Sequence, residues 1–320
     1  MISKQFKNLD EQIEILEYKG LVINNHDYAK NVLMRENYFF INGYRHLFMK
    51  KGSDRFYLEG TTFEEMYSLF LFDRTLRNIL FKNLLIIENN FKSIISYQLS
   101  KKYGYKEKDY LKEKNFTNHP EKKRQVNDLI KKMKRQIRIN GREHSATLHY
   151  VCNYGYIPLW ILVKVLSFGI VSEMFSILKE EDQKNIADIY NLHRDDLMND
   201  LPMLANYRNL CAHEDILYEN KTQKEIRDTI YHQLLKISRD QYGYTKGKND
   251  LFALIIIMKE LLQKEEFKSM SIEIENAINT LDYNLNTISV ERVLDRMGFP
   301  VNWQEIVSIE RSIDRDAKKQ

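Results

Sequence analysis

Proline, glycine and cysteine are scarce in this 320-residue chain, and each scarcity excludes a class of protein. Only 4 Pro and 11 Gly are present, which excludes collagen-like, proline-rich and low-complexity sequences. The two cysteines, Cys152 and Cys211, are too few for a disulfide framework, and this favours a reducing compartment. Neither cysteine has a neighbouring base at a nucleophile spacing, so we expect both to be small core residues.

Long apolar runs and cofactor motifs are also lacking. The longest apolar runs, 160–171 and 251–258, contain or end at a lysine and are too short to cross a bilayer. The first seven residues contain no apolar signal segment, so we expect a cytoplasmic protein without a membrane partner. Motifs for phosphate loops, dinucleotides and zinc are absent, and His144 and His149 alone make a poor metal pair. We therefore expect no metal and no other cofactor.

The residues that are abundant predict helices instead, most clearly after residue 60. Thr61 and Thr62 are each followed three residues later by a glutamate, Glu64 or Glu65, which is the capping-box pattern. No Gly or Pro then appears until Gly104. Apolar residues recur at three- and four-residue spacing, which predicts a helix of roughly 60 Å, either unbroken, bent or split in two.

Weaker patterns predict further helices on both sides of this one. They cover 10–20, 27–40, 160–178 with a kink at Gly169, 182–190, 194–213, 222–238, 250–262, 271–279 and 289–297. The stretch 56–58 is compatible with a short hairpin, and 242–247 has the composition of a loop. The sequence therefore predicts an all-α fold. It divides into an N-terminal helical region at 1–60, a core at 61–240 and a C-terminal helical region at 241–320.

Positive charge is concentrated in a basic segment, 101–142, that lies within the predicted core. It holds fifteen Lys or Arg against five acidic residues, an excess of ten, whereas the whole chain carries +4. One interpretation is an exposed helical face with a flexible loop, and the other is a surface that binds RNA phosphates. The second assigns RNA binding to Lys122, Lys123, Arg124, Lys131, Lys132, Lys134, Arg135 and Arg138.

One short string combines residue types that suit RNA cleavage. Residues 206–213 read Asn-Tyr-Arg-Asn-Leu-Cys-Ala-His, so that Arg208 precedes His213 by five positions. An arginine followed by a histidine after four to six intervening residues resembles the minimal signature of HEPN-type ribonucleases, but this spacing alone is weak evidence, because Arg138/His144, Arg142/His149 and Arg227/His232 also fit it. Context distinguishes the first pair, since it follows an apolar segment and has small residues directly before the histidine.

The chemistry of metal-free RNA cleavage explains why this pair is of interest. The 2′-OH acts as the internal nucleophile, a histidine can move protons near neutral pH, and an arginine presents a planar fork of donors to the phosphate. Asn209 could orient His213 or hold a phosphate oxygen. On a helix the two side chains lie about 140° apart, so two copies across a twofold axis would contact one phosphate more readily. The alternative is a polar layer in a helix bundle, with Arg208 and His213 paired to Asp73, Glu88 or Glu214.

The string 208–213 closely resembles the R-N-x-C-A-H motif of the bacterial abortive-infection (Abi) family with a HEPN-like core. Other parts of the chain resemble the family in the same order, namely 10–13, 37–44, 72–77, 87–88, 158–160, 165–169 and 249–254. One departure is Ile216, where family members often have an arginine. A phosphate contact is therefore either missing there or supplied elsewhere.

The resemblance implies a HEPN-like helical bundle that acts as a metal-independent endoribonuclease in an antiphage abortive-infection or toxin–antitoxin system. Arg208 and His213 would be catalytic in a homodimeric site, with Asn209 assisting. RNA would be the substrate, and some relatives are restrained by a structured non-coding RNA that serves as antitoxin. Two other functions stay open: a non-catalytic module that binds a structured non-coding RNA, and a helical regulator that binds only proteins.

Overall fold

The computed structural model describes residues 5–52 and 55–310, and it confirms the prediction of an all-α fold. The α-helices are α1 (Leu9–Tyr18), α2 (His26–Glu36), α3 (Tyr38–Gly43), α4 (Phe63–Tyr103), α5 (Glu107–Tyr110), α6 (Lys123–Glu143), α7 (Ser145–Tyr154), α8 (Leu159–Val165), α9 (Phe168–Ser176), α10 (Glu180–Ile189), α11 (Arg194–Ala212), α12 (Ile230–Leu234), α13 (Leu251–Leu261), α14 (Lys264–Asn284) and α15 (Val290–Arg296). Short 3-10 helices lie at Tyr44–Phe48, Glu113–Asn115, Pro120–Lys122 and Trp303–Val307. Within the described ranges, the one sheet is an antiparallel pair of two-residue strands, β1 (Arg239–Asp240) and β2 (Gly243–Tyr244).

Helix α4 is the central element, and α8, α11 and α14 pack along it. It runs unbroken for 41 residues, which corresponds to about 60 Å. The hydroxyl of Thr62 accepts a hydrogen bond from the backbone N–H of Glu65 at its start, and Gly104 ends it with a φ of 93°. The predicted start and end of this helix are confirmed.

The carboxylate of Glu65 has a different role from the one that the capping-box pattern predicted. It is 1% exposed and accepts hydrogen bonds from the backbone N–H groups of Asn286 and Thr287 and from the Thr287 hydroxyl. Glu65 therefore binds the loop between α14 and α15 to the start of α4 through these hydrogen bonds. A carboxylate buried with several donors is more strongly bound than one exposed in a helix cap.

The helix predicted at 222–238 is wrong over most of its length, because only α12 is helical there. The backbone N–H of Thr222 donates to the carbonyl of Asn249, and that of Ile226 donates to the carbonyl of Lys248. These bonds to a distant segment replace the intrahelical ones. The side chain of Ile226 is buried by the same arrangement.

Several other boundaries differ because of local caps. The stretch 160–178 is broken into α8 and α9 by Ser167, which caps α9, and not kinked at Gly169. A left-handed Asn37, with φ of 66°, separates α2 from α3. Helix α14 is longer than predicted because Gln263 and Glu266 cap its start. At 56–58 the predicted hairpin is reduced to one antiparallel bridge between Met49 and Tyr57.

The apolar side chains of all these elements form one continuous core. Cys211 belongs to it as predicted, and burial raises the pKa of its thiol to about 12, which makes it a poor nucleophile. Cys152 does not belong to the core, because α7 presents its side chain to solvent, so the prediction of a core position for Cys152 is wrong.

No helix among the described residues is both long and apolar enough to cross a membrane. The division at 60 and 240 stays a prediction, and 311–320 lie outside the described residues.

Candidate functional site

The last two turns of α11 carry the Arg/His string. Tyr207 and Cys211 are buried in the core, whereas Asn209 and His213 are exposed. The helix stops at His213 because Glu214 adopts a left-handed conformation, with φ of 58°. The backbone N–H two residues after His213 then bonds back to the carbonyl of Leu210, which is a Schellman-type ending. His213 therefore lies at a defined helix end and faces solvent.

The segment directly after the motif is fixed by the buried carboxylate of Asp73 in α4. It accepts hydrogen bonds from the backbone N–H groups of Leu217 at 3.0 Å and Tyr218 at 2.8 Å. The Tyr44 hydroxyl at 2.7 Å and the Arg77 guanidinium at 2.6 Å complete its shell. Burial raises the pKa of the Asp73 carboxyl, while Arg77 and the two backbone N–H groups oppose that shift. Asp73 thus holds the chain on the C-terminal side of the motif.

Arg208 is held on the other side by a second carboxylate of α4. Its Nε donates to Oε2 of Glu88 at 3.0 Å, and its guanidinium carbon lies 5.7 Å from the ring centre of Phe81. Glu88 is nearly buried and also accepts a hydrogen bond from Nζ of Lys92 at 2.7 Å. The side chain of Arg208 is 29% exposed, and its two terminal nitrogens have no hydrogen-bond partner among the described residues. Glu88 therefore orients the guanidinium and leaves its terminal nitrogens available to an anion.

The alternative of a polar layer accounts for one member of the pair. Arg208 and Glu88 are in contact as that interpretation requires, but Asp73 bonds to other groups and Glu214 is exposed. The side chain of His213 makes no hydrogen bond or ion pair with any described residue. A purely structural role explains the position of Arg208 and leaves the exposed histidine unexplained.

The pair Arg227/His232 has the same five-position spacing as Arg208/His213, but its histidine has a structural role. That imidazole is fully buried, and its nitrogens contact Thr229 and the carbonyl of Gly247. Burial lowers its pKa, and its ring stacks on Tyr244. An imidazole enclosed in this way has no access to a substrate.

A cavity of about 520 Å³ opens beside the motif, and the sequence patterns did not predict it. It lies between residues 214–216, which follow the motif, the residues 35–46 that include α3, and one side of α4. Arg35 is exposed at its rim and makes no hydrogen bond or salt bridge with a described residue, and Arg45 donates to the carbonyl of Asn42. Buried oxygen Oδ1 of Asn42 and Nε of Arg74 lack partners. Both atoms are buried, so the groups of this cavity that a phosphate could reach are the arginines on its rim.

Ile216, the position that departs from the family pattern, lies in the wall of this cavity. Its side chain packs closely against Gly43. A Cβ atom added to Gly43 would lie 2.7 Å from the Cδ1 atom of Ile216. Ile216 itself can make no phosphate contact. Arg35 and Arg45 are the cations on the cavity rim that could make one in its place.

Five of the eight predicted RNA-binding residues share one face of α6, which we call the basic stripe. These exposed residues recur at helical spacing, and they are Arg124, Lys131, Lys134, Arg135 and Arg138. The opposite face of α6 is buried through residues such as Leu129 and Met133. Asp128 interrupts the stripe, at 3.8 Å from both Arg124 and Lys131.

The other three predicted residues lie beside the stripe. Lys132 forms an ion pair with Glu173 at 2.7 Å, and Lys122 donates to the carbonyl of Ser176. Lys123 is exposed. The basic segment is therefore mostly ordered helix with a charged outer face, and its binding of RNA stays a prediction.

The comparisons with known proteins bear on the family. No curated protein and no solved structure matches the chain significantly. The family described as Abi-like protein matches residues 31–219, which is more than half of the chain and runs from α2 through the motif. A HEPN-like core is not part of that finding and stays a prediction. The chain belongs to the Abi-like protein family, which connects it with abortive infection and so with antiviral defence.

Proposed function

We propose that this protein is a metal-independent endoribonuclease of an antiphage abortive-infection or toxin–antitoxin system, built on a HEPN-like core. The observation that carries the proposal is His213, an exposed imidazole without a protein partner at a helix end. Five residues before it, Arg208 offers two unpaired terminal nitrogens. One carboxylate of α4, Glu88, orients Arg208, and another, Asp73, holds the chain after His213, so both positions are set before a substrate binds.

The reaction follows from the chemistry of the two side chains. His213 takes the proton of an RNA 2′-OH, whose oxygen attacks the adjacent phosphorus. Arg208 stabilises the added negative charge on the phosphate oxygens. The bond from phosphorus to the 5′-oxygen breaks, and that oxygen takes up a proton from water, while the His213 imidazolium releases its proton to solvent. The products are a 2′,3′-cyclic phosphate and a 5′-hydroxyl, and Asn209 holds a phosphate oxygen.

A homodimer supplies the geometry that one helix lacks. Arg208 is directed towards α4 by Glu88, whereas His213 lies about 140° further around the helix, so one copy does not aim both at one phosphate. Exposed Asn209 and Ala212 leave the end of α11 open to approach by a second copy. Each site would then contain Arg208 from one subunit and His213 from the other.

The function is tested by incubating the purified protein with total RNA in excess EDTA. We expect cleavage to survive chelation, because imidazole and guanidinium supply proton transfer and charge. Arg208→Ala should be inactive, which excludes a contaminating nuclease, and the matched surface variant Arg292→Ala should cleave like the wild type. Cleavage that is lost with EDTA, or kept in Arg208→Ala, would contradict the proposal.

The shared site predicts complementation between two inactive variants. If Arg208→Ala and His213→Ala are mixed and allowed to exchange subunits, mixed dimers have one site with both side chains intact. About a quarter of the wild-type activity should return, since about half of the dimers are mixed and have one active site of two. A mixture as inactive as its components, with exchange verified by mass spectrometry of tagged subunits, would show that the site is not shared.

The basic stripe predicts how RNA affinity depends on salt. Reversing the charges of Lys131, Lys134, Arg135 and Arg138 to Glu should weaken binding to a single-stranded RNA and lower the slope of log K against log salt by about 2–3. The control reverses four exposed lysines elsewhere, Lys50, Lys51, Lys264 and Lys268. Fluorescence anisotropy at several salt concentrations measures the affinity and its salt dependence for both variants. Equal effects of the two variants would mean that only net charge matters.

The second candidate function, a module that holds a structured RNA without cutting it, is favoured by the same stripe. Five exposed cations on one face can position phosphates without any catalytic group. The two functions separate in Arg208→Ala, which should bind RNA as well as the wild type but fail to cleave it. A wild type that binds RNA and never cleaves it would support the second function.

A further inference from the structure

A second cavity, of about 300 Å³, lies at the other end of α11. It is lined by the first two turns of α11, by α13 and by the segment 226–230, which is extended up to residue 229. Its apolar walls come from isoleucines of the last two elements, among them Ile226 and Ile256. Its polar walls are acidic and include Asp196, Asp200 and Glu260. The cavity therefore combines an apolar wall with concentrated negative charge.

Asp200 is the unusual member of this wall. Its side chain is about nine-tenths buried, lines the cavity, and makes no hydrogen bond or ion pair with any described residue. Burial, together with nearby Asp196 and Glu260, raises the pKa of this carboxyl to about 8. A buried carboxyl without a protein partner is costly to maintain, so an external partner would satisfy it.

The charged groups around Asp200 determine what that partner can be. Arg227 is the arginine at the cavity, but it pairs with Asp195 at 3.5 Å and Asp196 at 3.2 Å. His193, the N-cap residue of α11, also lines the cavity, as does Asp228 on the extended segment, which pairs with Lys248 at 2.7 Å and Arg239 at 3.2 Å. Glu260 lies on α13. Carboxylates thus outnumber cations, which disfavours an anion. No group of three or more His, Cys, Asp or Glu side chains in the described ranges is arranged to hold a metal ion.

We propose that this cavity binds a small organic cation, with its ammonium or guanidinium group on Asp200 and its carbon chain along the isoleucines. A volume of about 300 Å³ lies at the small end of ligand pockets and suits an aliphatic diamine or agmatine-sized molecule. Binding converts Asp200 to its carboxylate, so the proton leaves to the buffer as the cation enters. The ion pair then satisfies the buried carboxylate.

Isothermal titration calorimetry with putrescine and with agmatine tests the site, and neutral 1,4-butanediol is the matched ligand control. We expect one diamine or guanidine per chain to bind, no binding of the diol, and a heat that varies with the ionisation heat of the buffer. Asp200→Asn should weaken binding at least about tenfold. Asp188→Asn, an exposed neighbour that does not line the cavity, should leave the affinity unchanged.

Two outcomes would overturn the site. One is the absence of any heat or thermal shift with millimolar putrescine, agmatine or spermidine. The other is binding by Asp200→Asn or by the diol that equals binding of the amine to the wild type. Circular dichroism confirms that Asp200→Asn is folded, and Glu260→Gln provides a second variant that should also weaken the affinity. Neither variant lies in the proposed nuclease site, so the result is independent of RNA cleavage.

Discussion

Replacement of His213 by Ala is expected to reduce RNA cleavage by at least about 100-fold, because general acid–base catalysis contributes that much or more. The same change should alter the free energy of unfolding by less than about 0.5 kcal/mol, as is usual for exposed side chains that make no specific contact. Cleavage is measured as single-turnover rates on a defined RNA, and stability by urea denaturation. The combination of a large kinetic loss and an unchanged stability is what separates a catalytic histidine from a structural one.

His26→Ala is the matched control for this prediction. His26 is also an exposed histidine and contacts only Glu17 at the surface among the described residues. We expect its replacement to leave both cleavage and stability close to those of the wild type. If His213→Ala cleaved RNA as fast as His26→Ala, the imidazole would not take part in the reaction.

Replacement of Asp73 by Ala is expected to lower the free energy of unfolding by about 3–5 kcal/mol, the usual cost of breaking a buried ion pair from one side. Asp73 is fully buried, and its removal leaves the Arg77 guanidinium, which is 3% exposed, without its carboxylate. The backbone N–H groups of Leu217 and Tyr218 would lose their acceptor as well. Each buried donor left unsatisfied adds to the loss.

Chemical denaturation of Asp73→Ala, Asp73→Asn and the exposed control Asp282→Ala tests this prediction. The Asn variant keeps one acceptor oxygen, so its loss should be smaller than that of Ala, and the control should be unaffected. A loss below about 1 kcal/mol in Asp73→Ala would mean that the segment after the motif is anchored by other contacts. In that case the account of how the position of His213 is fixed would be incorrect.

Local signals in the sequence were sufficient to predict α4 and the motif. The start and end of α4 follow from Thr62 and Gly104, and the absence of Gly and Pro between them predicts a continuous helix. The motif was recognised because its residue types lie within six consecutive positions. Glu88 was among the expected partners of Arg208, and the packing of α11 against α4 identifies it as the one in contact.

Features that depend on distant segments could not be predicted. Glu65 matched a capping pattern, but its carboxylate binds a loop more than two hundred residues away. The segment 222–229 has no local feature that reveals its bonds to residues 248 and 249. The cavity beside the motif is formed by residues 35–46 and 214–216, which only the folded chain brings together. Nothing in the sequence distinguishes Asp200 from the other aspartates, because its unusual property is its burial, which depends on the folded chain.

The most direct test of the central claim, that Arg208 and His213 cleave RNA through its own 2′-OH, is the chemistry of the RNA ends. A defined RNA is cleaved in EDTA, and the products are analysed by mass spectrometry, with the same RNA carrying a 2′-deoxy sugar at the mapped site as control. The account predicts 2′,3′-cyclic phosphate or 3′-phosphate ends with 5′-hydroxyls, and no cleavage of the deoxy substrate. Products with 5′-phosphate and 3′-hydroxyl ends, or cleavage at the deoxy position, would contradict it.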